Sequence, residues 1–279
     1  VSERRRVSRR QLIAGFGAAG VGGVLSGVLG GVLAGCSGGG APAGTAPPSV
    51  APPATTAPGD DDDLSSLFAG SSVCALTTAT PAGPYYYDAG RIRSDVREDR
   101  AGVRLRLVLK VQDSESCGPL PGAVVEIWHC DAAGLYSGAE AVPPAGAAAS
   151  APPSGAPAAT ASLRPVGPRR YLRGAQVTDP RGIVEFVTVW PGRQRGRTPH
   201  VNVMVHAADA PVLTTQLMFP ERLNDAVFAR APYPPRAGAE TTNATDPVYD
   251  DSMLLKVTRE YDGYLGVLIL SADADRDGR

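Results

Sequence analysis

Between residues 186 and 206 the chain runs Phe-Val-Thr-Val-Trp-Pro-Gly-Arg-Gln-Arg-Gly-Arg-Thr-Pro-His-Val-Asn-Val-Met-Val-His. This is strand, Pro/Gly turn, strand. In the second strand Val201, Val203 and Val205 alternate with His200, Asn202, Met204 and His206. A period of two sends the valines to one face and the other set to the opposite face. His200 and Asn202 then point the same way, about 7 Å apart, close enough to share one metal ion or one small ligand. The same alternation also suits a strand with one wet polar face, and this stretch alone leaves both open.

The remaining pattern is also β. Val103, Leu105, Leu107, Leu109 and Val111 alternate with Arg104, Arg106 and Lys110, which marks a half-buried strand. Further strands are expected at 123–130, 183–190, 212–219, 252–258 and 263–271, with a short helix at 221–229. Turns such as Asp179-Pro-Arg-Gly182 separate them. Many short strands with almost no helical period predict an all-β fold, an antiparallel β-sandwich with long loops and at most short helices.

The ends read differently. Ser8-Arg-Arg-Gln-Leu-Ile13, an apolar Gly-rich run and Leu33-Ala-Gly-Cys36 are the parts of an export signal of twin-arginine type over residues 1–35. Leu-Ala-Gly-Cys resembles a lipobox, so Cys36 is the expected lipid attachment point and the membrane an expected partner. Residues 36–70 read as a disordered Gly/Ala/Pro linker, with Asp60 to Asp63 as its solvated end. The folded domain is expected over 71–273, with an Ala/Pro-rich insertion at 139–168 and a tail at 274–279. Residues 1–35 carry five arginines and one glutamate, which leaves 22 basic against 27 acidic side chains in the rest. That balance excludes nucleic acid as an expected partner. With Cys36 lipidated, Cys74, Cys117 and Cys130 remain outside the cytoplasm, where disulfides persist. Their pairing is open from sequence.

Several ordered segments together carry a family resemblance. Cys117-Gly-Pro-Leu-Pro-Gly-Ala-Val-Val-Glu-Ile-Trp-His-Cys-Asp-Ala-Ala-Gly-Leu-Tyr136 resembles the first signature of intradiol ring-cleavage dioxygenases. Leu172-Arg-Gly-Ala-Gln-Val-Thr-Asp179, residues 186–200 and Thr215-Gln-Leu-Met-Phe-Pro220 resemble later ones. The resemblance spans about residues 72–272 and points to the secreted bacterial branch. It implies a β-sandwich around a mononuclear Fe(III) held by two tyrosinates, two histidines and solvent. It also implies O2 as co-substrate, a catechol-type aromatic opened between its hydroxylated carbons, and a homo- or hetero-oligomer.

Carried onto this chain, the resemblance makes Tyr136 the first tyrosinate and His200 the first histidine. Arg197 becomes the arginine beside the substrate and Gln216 a pocket glutamine. The other two ligand positions fall on Gln194 and Asn202. Neutral amides are poor substitutes for phenolate and imidazole on a ferric ion. Two expectations follow: a dioxygenase with altered ligation, or a non-catalytic relative that binds aromatic compounds or pairs with an iron-bearing subunit.

Overall fold

A computed structural model describes residues 61–70, 74–140, 163–234 and 241–276. The strands are β1 (Arg104–Asp113), β2 (Val124–Trp128), β3 (Arg173–Val177), β4 (Ile183–Val189), β5 (His200–Ala207), β6 (Ala210–Met218), β7 (Lys256–Glu260) and β8 (Gly263–Ala272). Two helices accompany them, α1 (Asp61–Ser66) and α2 (Glu221–Phe228). The strands form two four-stranded sheets, ordered β4-β1-β8-β7 and β3-β2-β5-β6.

The alternating residues meet where their period sends them. Leu105, Leu107, Leu109 and Phe186 of the first sheet pack on Val125, Ile127, Val201, Val203 and Val205 of the second, all fully buried. Each such side chain contributes roughly 1.5–3 kcal/mol on burial. The sandwich and the short helix at 221 therefore follow the sequence pattern.

Four details differ from expectation. β1 and β8 pair in parallel, Arg104 opposite Gly263 through Asp113 opposite Ala272, so the first sheet is mixed. β3 lies in a stretch where no strand was expected. Its Gly174 breaks the apolar alternation, and it is there because a Cβ would sit 2.7 Å from Val96 Cγ1. Of the strand expected at 252–258, the first residues form a 3-10 turn, Asp251–Met253, and β7 begins at Lys256.

The fourth difference is at the linker end. Residues 61–70 are not a solvated stalk: Leu64, Leu67 and Phe68 pack on Val108, Ile183, Leu265 and Val267, over the outer face of the first sheet. Leu64 is on α1, and Leu67 and Phe68 follow in the turn that closes it, where Leu67 N–H donates to Leu64 O and Phe68 N–H to Ser65 O at 3.3 and 3.2 Å. The remainder of that linker, the export signal, Cys36 and residues 141–162 of the insertion lie outside the described residues.

The outer face of the second sheet is also covered. Tyr85, Tyr86, Trp128, Cys130, Tyr136, Ala139 and Met204 form a separate buried cluster there. The segment carrying the tyrosines is tied down by a Cys74–Cys117 disulfide, which resolves the open pairing and leaves Cys130 buried as a thiol. Thr77 N–H donates to Ser271 O and Thr80 N–H to Thr214 O, at 3.0 and 2.7 Å. As a result β5 is buried on both faces from His200 to His206, and its polar side does not meet water.

His129 follows β2 and turns into the core between the sheets, where its ring nitrogens meet Cys130 O and Thr188 Oγ1 at 2.8 and 2.7 Å. Burial pushes its pKa down to about 4 from an ordinary 6.5. The unfolded chain therefore takes up this proton first as pH falls. The associated stability is complete above pH 6.5 and declines toward pH 4, by up to about 1.4 kcal/mol per pH unit. Urea unfolding between pH 6.5 and 4.5 should be shallower in its pH dependence by about that amount in His129→Gln. Equal slopes in the two proteins would show that the folded imidazole is not held neutral.

Candidate functional site

One rung of the second sheet crosses four strands. Arg173 on β3 pairs with Trp128 on β2, Trp128 with Asn202 on β5, and Asn202 with Gln216 on β6. Residues directly opposite in a sheet share a face, and this is the outer face that the tyrosines cover. His200 is on the same face two residues before Asn202.

Two loops bring in the other expected residues. After β2, the Asp131 carboxylate accepts from Ala133 N–H and Leu135 N–H, both at 3.0 Å, and folds the loop so that Tyr136 enters the cluster. After β4, the turn starting at Pro191 lies against that loop, with Gly192 N–H donating to Asp131 O at 3.1 Å. A Cβ at Gly192 would stand 2.5 Å from the carbonyls of Asp131 and Ala132, and one at Gly134 would stand 2.6 Å from Arg193 O. These two glycines let the loops interlock and set Gln194 beside Tyr136.

The side chains then orient one another. Asp246 is buried, and it receives Arg197 Nε at 2.9 Å and Thr198 N–H at 2.8 Å. Arg197 can only donate, so the oxygen of Gln216 faces it, 2.5 Å from Nη2. The Gln216 amide nitrogen therefore faces Asn202 Oδ1 at 3.1 Å. That leaves Asn202 Nδ2 to donate to the Trp128 carbonyl at 3.1 Å and to the Tyr136 hydroxyl oxygen at 3.2 Å. Tyr136 in turn donates to Gln194 Oε1 at 3.5 Å. Asn202 consequently presents an N–H, not a lone pair, to Tyr136.

Protonation agrees with this chain. Burial raises the Tyr136 pKa far above the ordinary phenol range; Asn202, Arg173 and Arg197 oppose the shift but do not cancel it. Tyr136 is a neutral phenol. His200 Nδ1 donates to Thr198 O at 2.8 Å, so its lone pair is on Nε2. Burial, then the Arg197 charge, push its pKa down to about 4, so it is neutral at physiological pH.

The structure thus brings Tyr136, Gln194, Asn202, Gln216 and Arg197 into one hydrogen-bonded network, with His200 beside it on β5. His206 is elsewhere, 3.6 Å from Glu126, whose carboxylate also receives the Tyr86 hydroxyl at 3.3 Å. Three participants had no expected role: Asp246, Trp128 and Arg173. Tyr85 stacks on Tyr136 at 4.3 Å between centroids, and the Arg173 guanidinium lies 5.7 Å from the same ring. The Leu172-Arg-Gly signature and the alternation around Trp128 are the sequence signals that could have found Arg173 and Trp128. Asp246 sits in a loop with no pattern to mark it.

A four-donor ferric centre does not fit these residues. Of the four implied ligand positions, one offers an amide N–H and one an amide oxygen already engaged by Tyr136. Tyr136 and His200 are the two implied donors that remain.

A search of solved structures places this geometry in context. The chain is similar to an intradiol ring-cleavage dioxygenase from Tetranychus urticae, with 30% identity over 72% of this chain and 96% of that one, at a TM-score of 0.63. It is also similar to the dioxygenase domain of a dioxygenase–carbohydrate-binding protein fusion from the cellulolytic bacterium Streptomyces sp. SirexAA-E. There the identity is 25% over 71% and 98% of the two chains, at a TM-score of 0.50. No protein-family model matches, and no curated protein does. The chain belongs to the intradiol ring-cleavage dioxygenase family.

If Asn202 and Gln194 are what exclude iron, restoring the donors should bring it back. Gln194→Tyr with Asn202→His should raise bound iron toward one per chain, read by metal analysis and a new visible absorption band. No uptake by the double variant would show that the surrounding side chains have closed the centre as well.

Proposed function

We propose that this chain is an exported, lipid-anchored family member that binds aromatic compounds without opening their rings. The observation that carries the loss of chemistry is the Asn202 amide, whose nitrogen is committed to the Trp128 carbonyl and the Tyr136 oxygen. A donor at that position repels a cation and stabilises the phenol, so catechol chelation by a ferric ion has no support here.

Binding is favoured by a cleft of about 150 Å3 beside Gln194. Arg193, Arg195, Phe228 and Tyr233 line it, and the Arg193 guanidinium lies 4.1 Å over the Phe228 ring. The cleft is half open and mixed in lining: Phe228 and Pro234 supply apolar surface, and the arginines suit phenolic or carboxylate oxygens at its edge. The paired arginines before Ile13 and Leu33-Ala-Gly-Cys36 support export and lipid attachment. The Cys74–Cys117 disulfide is consistent with an oxidising compartment.

A second reading has one observation in its favour: the Tyr85 ring stacked on Tyr136 places another phenol beside the site. In that reading Tyr85, Tyr136 and His200 would hold a metal with altered ligation, and the chain would remain an enzyme using O2.

The two readings separate on the purified full chain. Metal analysis should find iron well below one per chain, with no visible band. Calorimetry should detect catechol binding while an oxygen electrode shows no uptake. Stoichiometric iron with oxygen consumption would overturn the proposal, and loss of that activity in Tyr85→Phe would establish the second reading. Independently, Cys36→Ala should move the chain from the membrane fraction to the soluble one; unchanged fractionation would exclude the lipid anchor.

A further inference from the structure

Two buried donors on the outer face of the second sheet lack acceptors. Arg173 Nη1 and Trp128 Nε1 have no hydrogen-bond partner among the described residues, although both residues are 1% exposed. They are direct cross-strand partners on β3 and β2, so their Cβ atoms stand about 5 Å apart on one face. Leaving such groups unpaired costs about 1–3 kcal/mol each, and more where the group is charged.

The guanidinium is the larger anomaly. Its Nε donates to Ser137 Oγ at 3.0 Å, and Nη2 donates to Tyr85 O and Ser137 O at 2.8 and 3.3 Å. Its plane lies 4.0 Å from the Tyr87 ring centroid. Every one of these partners is neutral. No carboxylate forms an ion pair with Arg173 among the described residues; the Glu126 charge acts on it without direct contact, and that carboxylate is engaged by Tyr86 and His206. A buried cation is ordinarily paired with an anion, and desolvation pushes this one below the usual arginine range.

We infer that Arg173 and Trp128 form a binding site for one small monovalent anion, a short carboxylate or a halide. Both free groups are N–H donors, so the ligand must be an acceptor. One donor is cationic, so a negative charge is preferred over a neutral oxygen. The covering rings of Tyr86 and Tyr87 restrict it to a compact species, and Tyr86 holds the indole in place at 4.9 Å. This site does not depend on whether iron chemistry is lost, because the Asn202 network meets Trp128 only at its backbone carbonyl and makes no hydrogen bond to the indole or to the Arg173 guanidinium.

Thermal unfolding of the full chain tests this at constant ionic strength. Sodium acetate and sodium chloride are the two probes, and sodium gluconate, too large to enter, is the reference. At a hundredfold excess over Kd the favoured probe should raise Tm saturably by roughly 5–10 °C over gluconate. A response to acetate assigns a carboxylate, and a response to chloride assigns a halide. Trp128→Phe keeps the ring packing and removes one donor, so it should weaken the apparent affinity about tenfold. Equal Tm in all three salts, or an unchanged response in Trp128→Phe, would overturn the site and leave an ordinary buried water in its place.

Discussion

The candidate site depends on a group that can donate hydrogen bonds and cannot accept them. Arg197, anchored by the buried Asp246 carboxylate, determines which end of the Gln216 amide faces it. Gln216 then determines the orientation of Asn202, and Asn202 that of Tyr136. Each step follows because an amide has one accepting and one donating end. The result is a polar network that satisfies itself inside a low-dielectric layer, where unpaired groups are expensive. A metal centre needs the reverse, with several lone pairs aimed at one empty point.

A sandwich can therefore keep a family architecture while two side chains at its centre differ from the implied ligands. The strands that place the site are held by the apolar faces of β1, β2, β4 and β5, which do not sense what lies on the outer face of the second sheet. Substituting an amide for an imidazole at residue 202 costs the core nothing. It alters the outer rung alone, and the neighbouring donors and acceptors are already arranged to absorb the change. The tyrosine-bearing segment seals the layer, anchored by the Cys74–Cys117 disulfide and by stacking of Tyr85 on Tyr136.

Much of this was legible in the residues. Alternation located β1 and β5, because successive side chains of a strand point to opposite faces, and runs between turn signals located β2, β4, β6 and β8. The signatures located Tyr136, Gln194, Arg197, His200, Asn202 and Gln216, and the structure does gather them. What escaped had no local pattern. β3 carries an arginine and a glycine where an apolar residue would announce a strand. Helix α1 is six residues long, too short for a helical period to show. Asp246 acts through one long-range contact.

Sequence by itself determined the period-two sandwich, the family, and the amides at two ligand positions. Those are properties of residue identity and spacing, and any fold of this chain must carry them. Only the tertiary structure decided that the polar face of β5 is dry, that Asn202 turns its nitrogen toward Tyr136, and that Arg173 is buried with no carboxylate in an ion pair to it among the described residues. Burial and amide orientation depend on which distant segments cover a strand and on which ends of their dipoles they present. No local stretch of sequence contains that information.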